Sequence, residues 1–353
     1  MAQHTPGVVS KNGGLANDTW NVNAQMMEAY INDVATEKSD FDAFVSDVFN
    51  VKKSNRFGEK IGEITTFSDF VPTSTDGADA TLDDIISGPT KTIQHTTFKK
   101  LFTITREMNE DNEVDLMQAK ARGMIQAYKR TRSDFATAAL TANAEAVSTV
   151  TTFTFGGVSG FDCASADEKA VFAVDHPQTT YPEQTQSNIF TNPFGNDDKM
   201  LHILANYGRN FKNNSGIVMG YTFDTIIIPS NCPNLEKTVK KIIKSELQVG
   251  SDYNDINVNK GLWKLIICPS WHVANPANEP YILMSSQANK ELLGNKFYDR
   301  VSLDVTGDVN ITNNNMTWNG YSRFSCGFTS WQHMIMGLGH HFCAGERNCA
   351  FYR

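Results

Sequence analysis

Asp175 and His176, followed by Pro177, make up the most enzyme-like string of the chain. A carboxylate beside an imidazole has the residue types of an oriented general base. Side chains of adjacent residues seldom aim at each other, though, and no Gly-x-Ser-x-Gly turn supplies a nucleophile. A structural role is therefore expected for the pair. His340, His341, Cys343 and Cys349 are imidazoles and thiols of the sort zinc takes. Their spacing matches no finger or ribbon, so an ordinary tail is expected here rather than a metal site. The chain also lacks a Gly-x-Gly-x-x-Gly fingerprint, a Walker A loop, a His-Glu-x-x-His string and a calcium loop. These residues point to no catalytic, cofactor-binding or metal-binding group, and they favour a structural protein over an enzyme.

Charge patterning is more informative. Between Ile61 and Thr90 stand six acids, Glu63, Asp69, Asp76, Asp79, Asp83 and Asp84, and not one Lys or Arg. Such a stretch has too little apolar surface to build its own core, so it stays mobile or lies on something basic. The complementary residues are Lys120, Arg122, Lys129, Arg130 and Arg132, which decorate a helical segment away from its apolar stripe. They form either an ordinary solvated face or a docking strip for an acidic partner segment.

The elements that must carry these groups follow from periodicity. Met26, Met27, Tyr30, Val34, Phe41, Phe44, Val45 and Val48 recur near helical spacing and predict two short helices, with a cap at Ser39 or Asp40. These helices pack on their own domain or lie across a neighbour. Segments rich in β-branched and aromatic residues around 57–70 and 90–105 flank a tip with Pro72, Gly77, Gly88 and Pro89, which predicts a long hairpin. From Glu110 to Ala144, Val114, Met117, Ala121, Met124, Tyr128 and Phe135 step at helical spacing, with acids at the start where the helix dipole favours them. A helix of that length runs about 50 Å. From about residue 197 helices and strands alternate: a helix through Leu201 and Leu204, a strand at 225–228, a helix opened by Asn231 as cap and Pro233, and strands at 263–268 and 281–285. After Lys296 the pattern returns to β type, with strands at 297–305 and 317–326 and a further one at 332–336. An α/β unit is thus inserted between two parts of an outer unit that contains the long helix.

With 353 residues, 40% of them hydrophobic, the chain can bury a substantial core. Its formal charge of −8 argues against a broad grip on nucleic acid. No secretory or transit segment opens the sequence, no apolar run approaches the roughly 20 residues of a membrane span, and six scattered cysteines do not form a disulfide framework. A soluble protein of a reducing cytoplasm is expected.

Several strings taken in order resemble the major capsid proteins of tailed bacteriophages, the Hong Kong 97 fold, in the branch that looks like the Mu-type head subunit. Residues 102–112, Phe-Thr-Ile-Thr-Arg-Glu-Met-Asn-Glu-Asp-Asn, resemble the family's hairpin return strand and its Ser/Thr-Arg-Glu step before the spine helix. Residues 171–177, Val-Phe-Ala-Val-Asp-His-Pro, with Ser187 and Asn188, are similar to pieces of the Mu-like branch, as are Thr-Ile-Ile-Ile-Pro at 225–229, the helix to Leu247 and Trp-Lys-Leu-Ile-Ile-Cys-Pro at 263–269. The likeness covers roughly residues 55–340.

The resemblance implies an α+β capsid fold. Residues 1–54 would be the N-terminal arm and 55–105 an extended β-hairpin loop lying over a neighbouring subunit. Residues 106–196 and 296–353 would form a peripheral domain with the spine helix at 110–144, and 197–295 an α/β axial domain at capsomer centres. It implies a major head protein that self-assembles as hexamers and pentamers into the icosahedral shell of a double-stranded DNA phage. That shell would be assembled in the bacterial cytoplasm and retained in the virion. The expected partners are copies of the chain, a separate scaffold, portal and head-decoration or completion proteins, and DNA enclosed without sequence-specific binding; no membrane is expected. Asp76, Asp79, Asp83 and Asp84 are the candidate inter-subunit acids, and Arg122, Lys129, Arg130 and Arg132 their candidate basic partners. Two rival expectations are an encapsulin-like nanocompartment shell and a cytosolic hydrolase-type enzyme using Asp175 and His176.

Overall fold

The computed structural model describes residues 18–64, 70, 72, 87–144, 149–178, 181–191, 193–195, 198–213, 215–248, 255–310 and 312–339. Asp69, Asp76, Asp79, Asp83 and Asp84, the first seventeen residues and the His/Cys tail lie outside this set.

Helix α1 (Asp18–Thr36) and helix α2 (Asp40–Val48) open the fold, and Ser39 caps the second by accepting the Asp42 N–H at 3.3 Å, a contribution of about 1 kcal/mol. Both pack on their own chain: Met27, Ile31 and Val34 of α1 are buried, as are Phe44, Val45 and Val48 of α2. Strands β1 (Asn50–Lys53), β2 (Gly58–Ile64), β3 (Ser87–Gln94) and β4 (Thr96–Ile104) follow. β2 and β3 pair antiparallel from Gly58 opposite Gln94 to Ile64 opposite Ser87, the root of the expected hairpin. β4 continues past His95 into a different sheet.

The expected helix at 110–144 is divided. Thr105 caps a short α3 (Arg106–Glu110), and α4 runs from Val114 to Leu140. Between them Asn112 adopts φ 55°, a left-handed conformation that an Asn tolerates but a continuing helix does not. α4 is 27 residues long and buries Met117, Ala121, Met124 and Phe135 of the expected stripe, with Ala139 a turn further on. The chain then forms small ladders: β5 (Thr152–Phe155) with β6 (Val158–Asp162), and β7 (His176–Pro177) with β8 (Thr185–Gln186). β9 (Ile189–Phe190), α5 (Lys199–Arg209), β10 (Thr225–Pro229), α6 (Pro233–Lys244), β11 (Lys264–Cys268), β12 (Tyr281–Met284) and α7 (Ser286–Glu291) come next. α6 is capped at Cys232 and not at Asn231, whose amide is held at Val273: it donates to the carbonyl at 2.8 Å and accepts the N–H at 3.1 Å. The long strands β13 (Asn295–Val309) and β14 (Met316–Phe328) and the short β15 (Met334–Gly337) close the fold.

Two sheets organise the molecule. One has the order β1-β13-β14-β4, the other β11-β10-β12-β15-β9. The second recruits β9 and β15 from outside the 197–295 range expected for the α/β unit, because β12 and β15 are buried along their whole length and satisfy each other's backbones. One continuous core joins α2 and the C-terminal half of α4 to both sheets, through Phe135, Phe297, Phe324, Ile227 and Leu283 among others. A second core packs α1 against the other half of α4 with Ile104, Met316 and Trp318. Cys163, Cys232, Cys268 and Cys326 are buried free thiols.

Candidate assembly surface

The Asp175–His176 pair does not form. Asp175 turns outward to Lys169, 2.5 Å away, while the His176 ring is buried and stacks on Trp331 with centroids 4.3 Å apart. Its Nδ1 meets Asp167 Oδ2 at 2.7 Å and its Nε2 meets Asn188 Oδ1 at 3.2 Å. The Asn188 amide is oriented unambiguously, since its Nδ2 donates to the carbonyls of Val171 and Met334 and its Oδ1 accepts the Ala173 N–H. Burial raises the Asp167 pKa, but the hydrogen bond and charge of His176, with donors from Ser165 and the Lys169 N–H, outweigh it and hold the carboxyl below its usual value. The group clamps three loops together in a dry interior, with no open face for a substrate. Asp167 is the partner that sequence reasoning missed. Among the described residues no cluster of His, Cys, Asp and Glu could hold a metal ion.

The cations of α4 divide. Lys129 is buried, donating to the Glu37 carbonyl and lying 3.4 Å from Asp42. Arg132 contacts Asp299 at 2.6 Å and Asp42 at 3.9 Å, with its guanidinium 5.0 Å from the Phe297 ring centre. Burial outweighs this charge and raises the Asp299 carboxyl above its usual value. Both side chains fasten the α1–α2 turn and β13 to the long helix, so they are not surface cations. Arg122 leans on Glu37 at 3.7 Å and on the Tyr30 ring, and Arg130 is exposed.

The hairpin root is anchored to its own body. Ile61, Ile93 and Tyr298 form a small core, and a Cβ on Gly327 would come within 2.2 Å of Ile93 Cδ1, so only glycine lets the ribbon lie this close to β14. Lys91 bridges to Asp162 at 3.0 Å, and Gln332 donates to Glu63 at 3.1 Å. At the bend between β3 and β4, Ser54 donates to Glu59 at 2.7 Å and accepts from His95 Nε2 at 3.0 Å, while His95 Nδ1 accepts from Ser325 at 2.9 Å. Burial first, then the Arg323 charge, lowers the His95 pKa and keeps the ring neutral in this role.

A family model described as phage capsid protein matches residues 88–335, which takes in the hairpin return, the long helix and both sheets apart from β1 and the end of β15. The chain belongs to the phage capsid protein family. It is a structural subunit of a viral shell and a component of the virion capsid. No curated protein matches it in sequence. Among solved structures it is similar to a virus-like particle from Pyrococcus furiosus, at 8% identity over 89% of this chain and 98% of that one, with a TM-score of 0.46. The capsid of an empty GTA particle is similar at 9% identity over 87% and 92%, TM-score 0.48, and the procapsid of bacteriophage JBD30 at 13% identity over 91% and 75%, TM-score 0.44. The capsid protein's exposed apolar side chains, Phe57 at 71% next to the ribbon root, Leu101 of β4 at 62%, and Ile256, Val258 and Leu262 in the segment before β11, suit a surface that meets other copies.

Proposed function

We propose that this capsid protein is the major head subunit of a tailed double-stranded DNA bacteriophage, in the Mu-like branch, and that it assembles as hexamers and pentamers in the bacterial cytoplasm. The observation that carries the proposal is the family match through the body of the fold, together with a hairpin root, β2 and β3, packed on that body. In this scheme the unit around α5, β10, α6, β11 and β12 surrounds the capsomer axis, and the four-stranded sheet with α4 forms the periphery. The arm and ribbon reach neighbouring copies. Each contact contributes modestly, and closure of the shell makes the contacts act together. A separate scaffold directs assembly, portal and decoration or completion proteins finish the head, and a chain of charge −8 encloses DNA without gripping it. The protein works by binding its own kind and has no catalytic step.

The test is negative-stain microscopy of the protein expressed with its neighbouring genes. Shells or ring-shaped capsomers are expected. A uniform population of small monomeric particles under every assembly condition refutes the proposal.

A further inference from the structure

The long strand β13 is paired on both sides for only part of its length. β1 lies beside residues 296–299 and then turns away, with the Ser54 N–H giving the last hydrogen bond to the Asp299 carbonyl. Beyond that point β13 has β14 on one side and, among the described residues, no strand on the other. Natural sheets often blunt an edge with bulges, and the register of β13 does shift between Asp299 and Asp304. From Asp304 to Val309, however, the strand pairs residue by residue with β14, from Tyr321 to Met316. Along this regular stretch every second residue turns its N–H and C=O to the unpaired side.

Helix α1 makes a cleft of this edge. Glu28, Ile31 and Ala35 of the helix face Leu303, Asp304 and Val305 across about 320 Å³, with the buried Trp318 as floor. Leu303 and Val305 pack on the core beneath α1, whereas Glu28 and Asp304 are exposed. The cleft therefore has an apolar interior, two carboxylates at its rim and a row of free backbone groups along one wall. That combination fits an extended segment with a β-branched side chain and a cation, as in strand addition to a sheet edge.

The chain has such a segment. Residues 1–17, outside the described set, contain Lys11 and His4 and no Asp or Glu, and Gly7-Val8-Val9-Ser10-Lys11 is followed by Asn12-Gly13-Gly14. β-branched residues ahead of Asn-Gly-Gly read as a short strand and a reversal. Its own body is within reach. Lys129 holds the Glu37 carbonyl and Asp42, and Arg132 joins Asp42 to Asp299, so α1 ends at the Asp299 end of β13. The helix thus runs against β13 and begins beyond Glu28, on the Val309 side. From Glu28 back to Asp18 the helix measures about 15 Å, and residues 12–17 span up to about 20 Å. A strand at 8–11 parallel to β13 then sets Val9 over Ile31 and Val305, and Lys11, on the same face two residues later, beside Glu28. So short a tether gives the strand a millimolar effective concentration at its own edge, which a strand from a dilute second copy does not match.

We propose that in the subunit before assembly residues 8–11 add to β13 as a parallel edge strand of the chain's own sheet, with Val9 in the cleft and Lys11 at the Glu28 rim. The strand covers an edge that otherwise offers itself to foreign chains. The arm leaves this edge when it reaches a neighbour in the shell proposed above; the inference concerns the free subunit and does not rest on that function.

Hydrogen exchange of the unassembled full-length protein, read amide by amide, tests it. The amides of 304–309 that face away from β14 should exchange slowly. Val8→Pro with Val9→Pro, which cannot complete a ladder, should speed them about tenfold while circular dichroism shows the body folded. Lys11→Glu and Glu28→Lys should each speed them about threefold, the size of one exposed ion pair, and the two together should return them to the starting rate. About hundredfold dilution should leave the protection unchanged, because the strand is tethered to its edge. Fast exchange in the original protein, or slow exchange that the proline variant leaves alone, overturns the inference, since the edge is then bare or covered by something else. A charge swap without recovery overturns it too, as does protection that falls on dilution, which assigns the strand to another copy. A subunit that shows every expected change yet never forms shells refutes the shell function and leaves this inference standing.

Discussion

Replacing Asp167 by Asn should destabilise the capsid protein although the side chain touches no outer surface. Asp167 accepts three hydrogen bonds, from His176 Nδ1 at 2.7 Å, from the Ser165 hydroxyl and from the Lys169 N–H at 3.1 Å. His176 and Ser165 are both fully buried, so a donor deprived of its acceptor finds no water. The amide keeps one acceptor oxygen, loses the charge and turns an NH₂ toward groups that also donate. Breaking a buried charged pair by changing one member costs about 3–5 kcal/mol, and one unsatisfied buried donor accounts for about 1–3 kcal/mol of that. For a chain of this size, an entropy of about 2 cal/mol/K per residue converts 4 kcal/mol into a melting shift of about 5 °C.

The pH dependence supplies the sharper test. The folded-state pKa of Asp167 is lowered from 3.8, so its contribution is fully present above the unfolded value and is lost as pH falls through the folded one. The melting difference between the original protein and Asp167→Asn should therefore be constant near neutral pH and shrink below about pH 4. Differential scanning calorimetry on unassembled protein at pH 7, 5 and 3 reads both effects. A difference under about 0.5 kcal/mol at pH 7, the size of an ordinary surface change, would show that the clamp does not hold these loops together. A difference that grows on acidification would reverse the assigned sign.

Arg132→Met alone should cost about 3–5 kcal/mol by stranding Asp299, whereas Arg132→Met with Asp299→Leu should recover most of the loss; urea unfolding of the three proteins measures the coupling. Lys296 has its pKa lowered by burial from 10.5 to about 8, so its charge opposes folding below pH 8, and that opposition is relieved between about pH 8 and 10.5. Lys296→Met should accordingly raise the melting temperature at pH 7, with the gain vanishing by about pH 10.5. Gly327→Val should loosen the ribbon root, because Ile93 cannot move from a packed site without opening the small core with Ile61 and Tyr298; faster hydrogen exchange at Ile61 and Ile93, with little change in the far sheet, is the expected readout. Leu101→Ser should leave monomer melting within about 1 °C, since the side chain is 62% exposed, yet raise the concentration needed for assembly.

The parts of this fold that sequence reasoning recovered are those in which one chain segment carries its own instruction. The stripe from Met117 to Phe135 is uninterrupted at helical spacing, and Ser39 stands where a capped helix begins, so α4 and α2 were legible. The break at Asn112 was not, because Asn, Glu and Asp within a helical pattern are tolerated locally, and only packing selects the left-handed turn. β9 escaped notice for another reason: a two-residue strand has no period, and its pairing with Met336 and Gly337 joins segments more than a hundred residues apart. The same distance hid the fate of the α4 cations. Nothing next to Lys129 or Arg132 in sequence announces Asp42 or Asp299, and a charged helix face looks alike whether it meets water or carboxylates from two other elements. Asp175–His176 misled in the opposite direction, since adjacency on the chain is poor evidence of contact when Asp167, nine positions earlier, folds back onto the ring.

That asymmetry bears on how the ribbon evolved its chemistry. Its root must resist being pulled away, and the structure supplies contacts within the chain: His95 between two serines, a glycine-enabled apolar contact, and Gln332 on Glu63. The segment beyond has acids and scattered apolar groups instead, and the proposed shell gives them partners on another copy. Exposed ion pairs contribute about 0.2–1 kcal/mol each and weaken as salt shortens the Debye length. In the proposed shell they would choose the register of a neighbour and leave the holding to apolar burial and to the number of copies. Assembly of the capsid protein should then slow steeply as ionic strength rises from 50 to 500 mM, while shells already closed should persist, because their dissociation requires many modest contacts to fail together. Stopped-flow light scattering for the first and microscopy of salt-challenged shells for the second separate the two. Assembly rates that do not respond to salt would mean that charge plays no part in the encounter, and the acidic ribbon would need a different explanation.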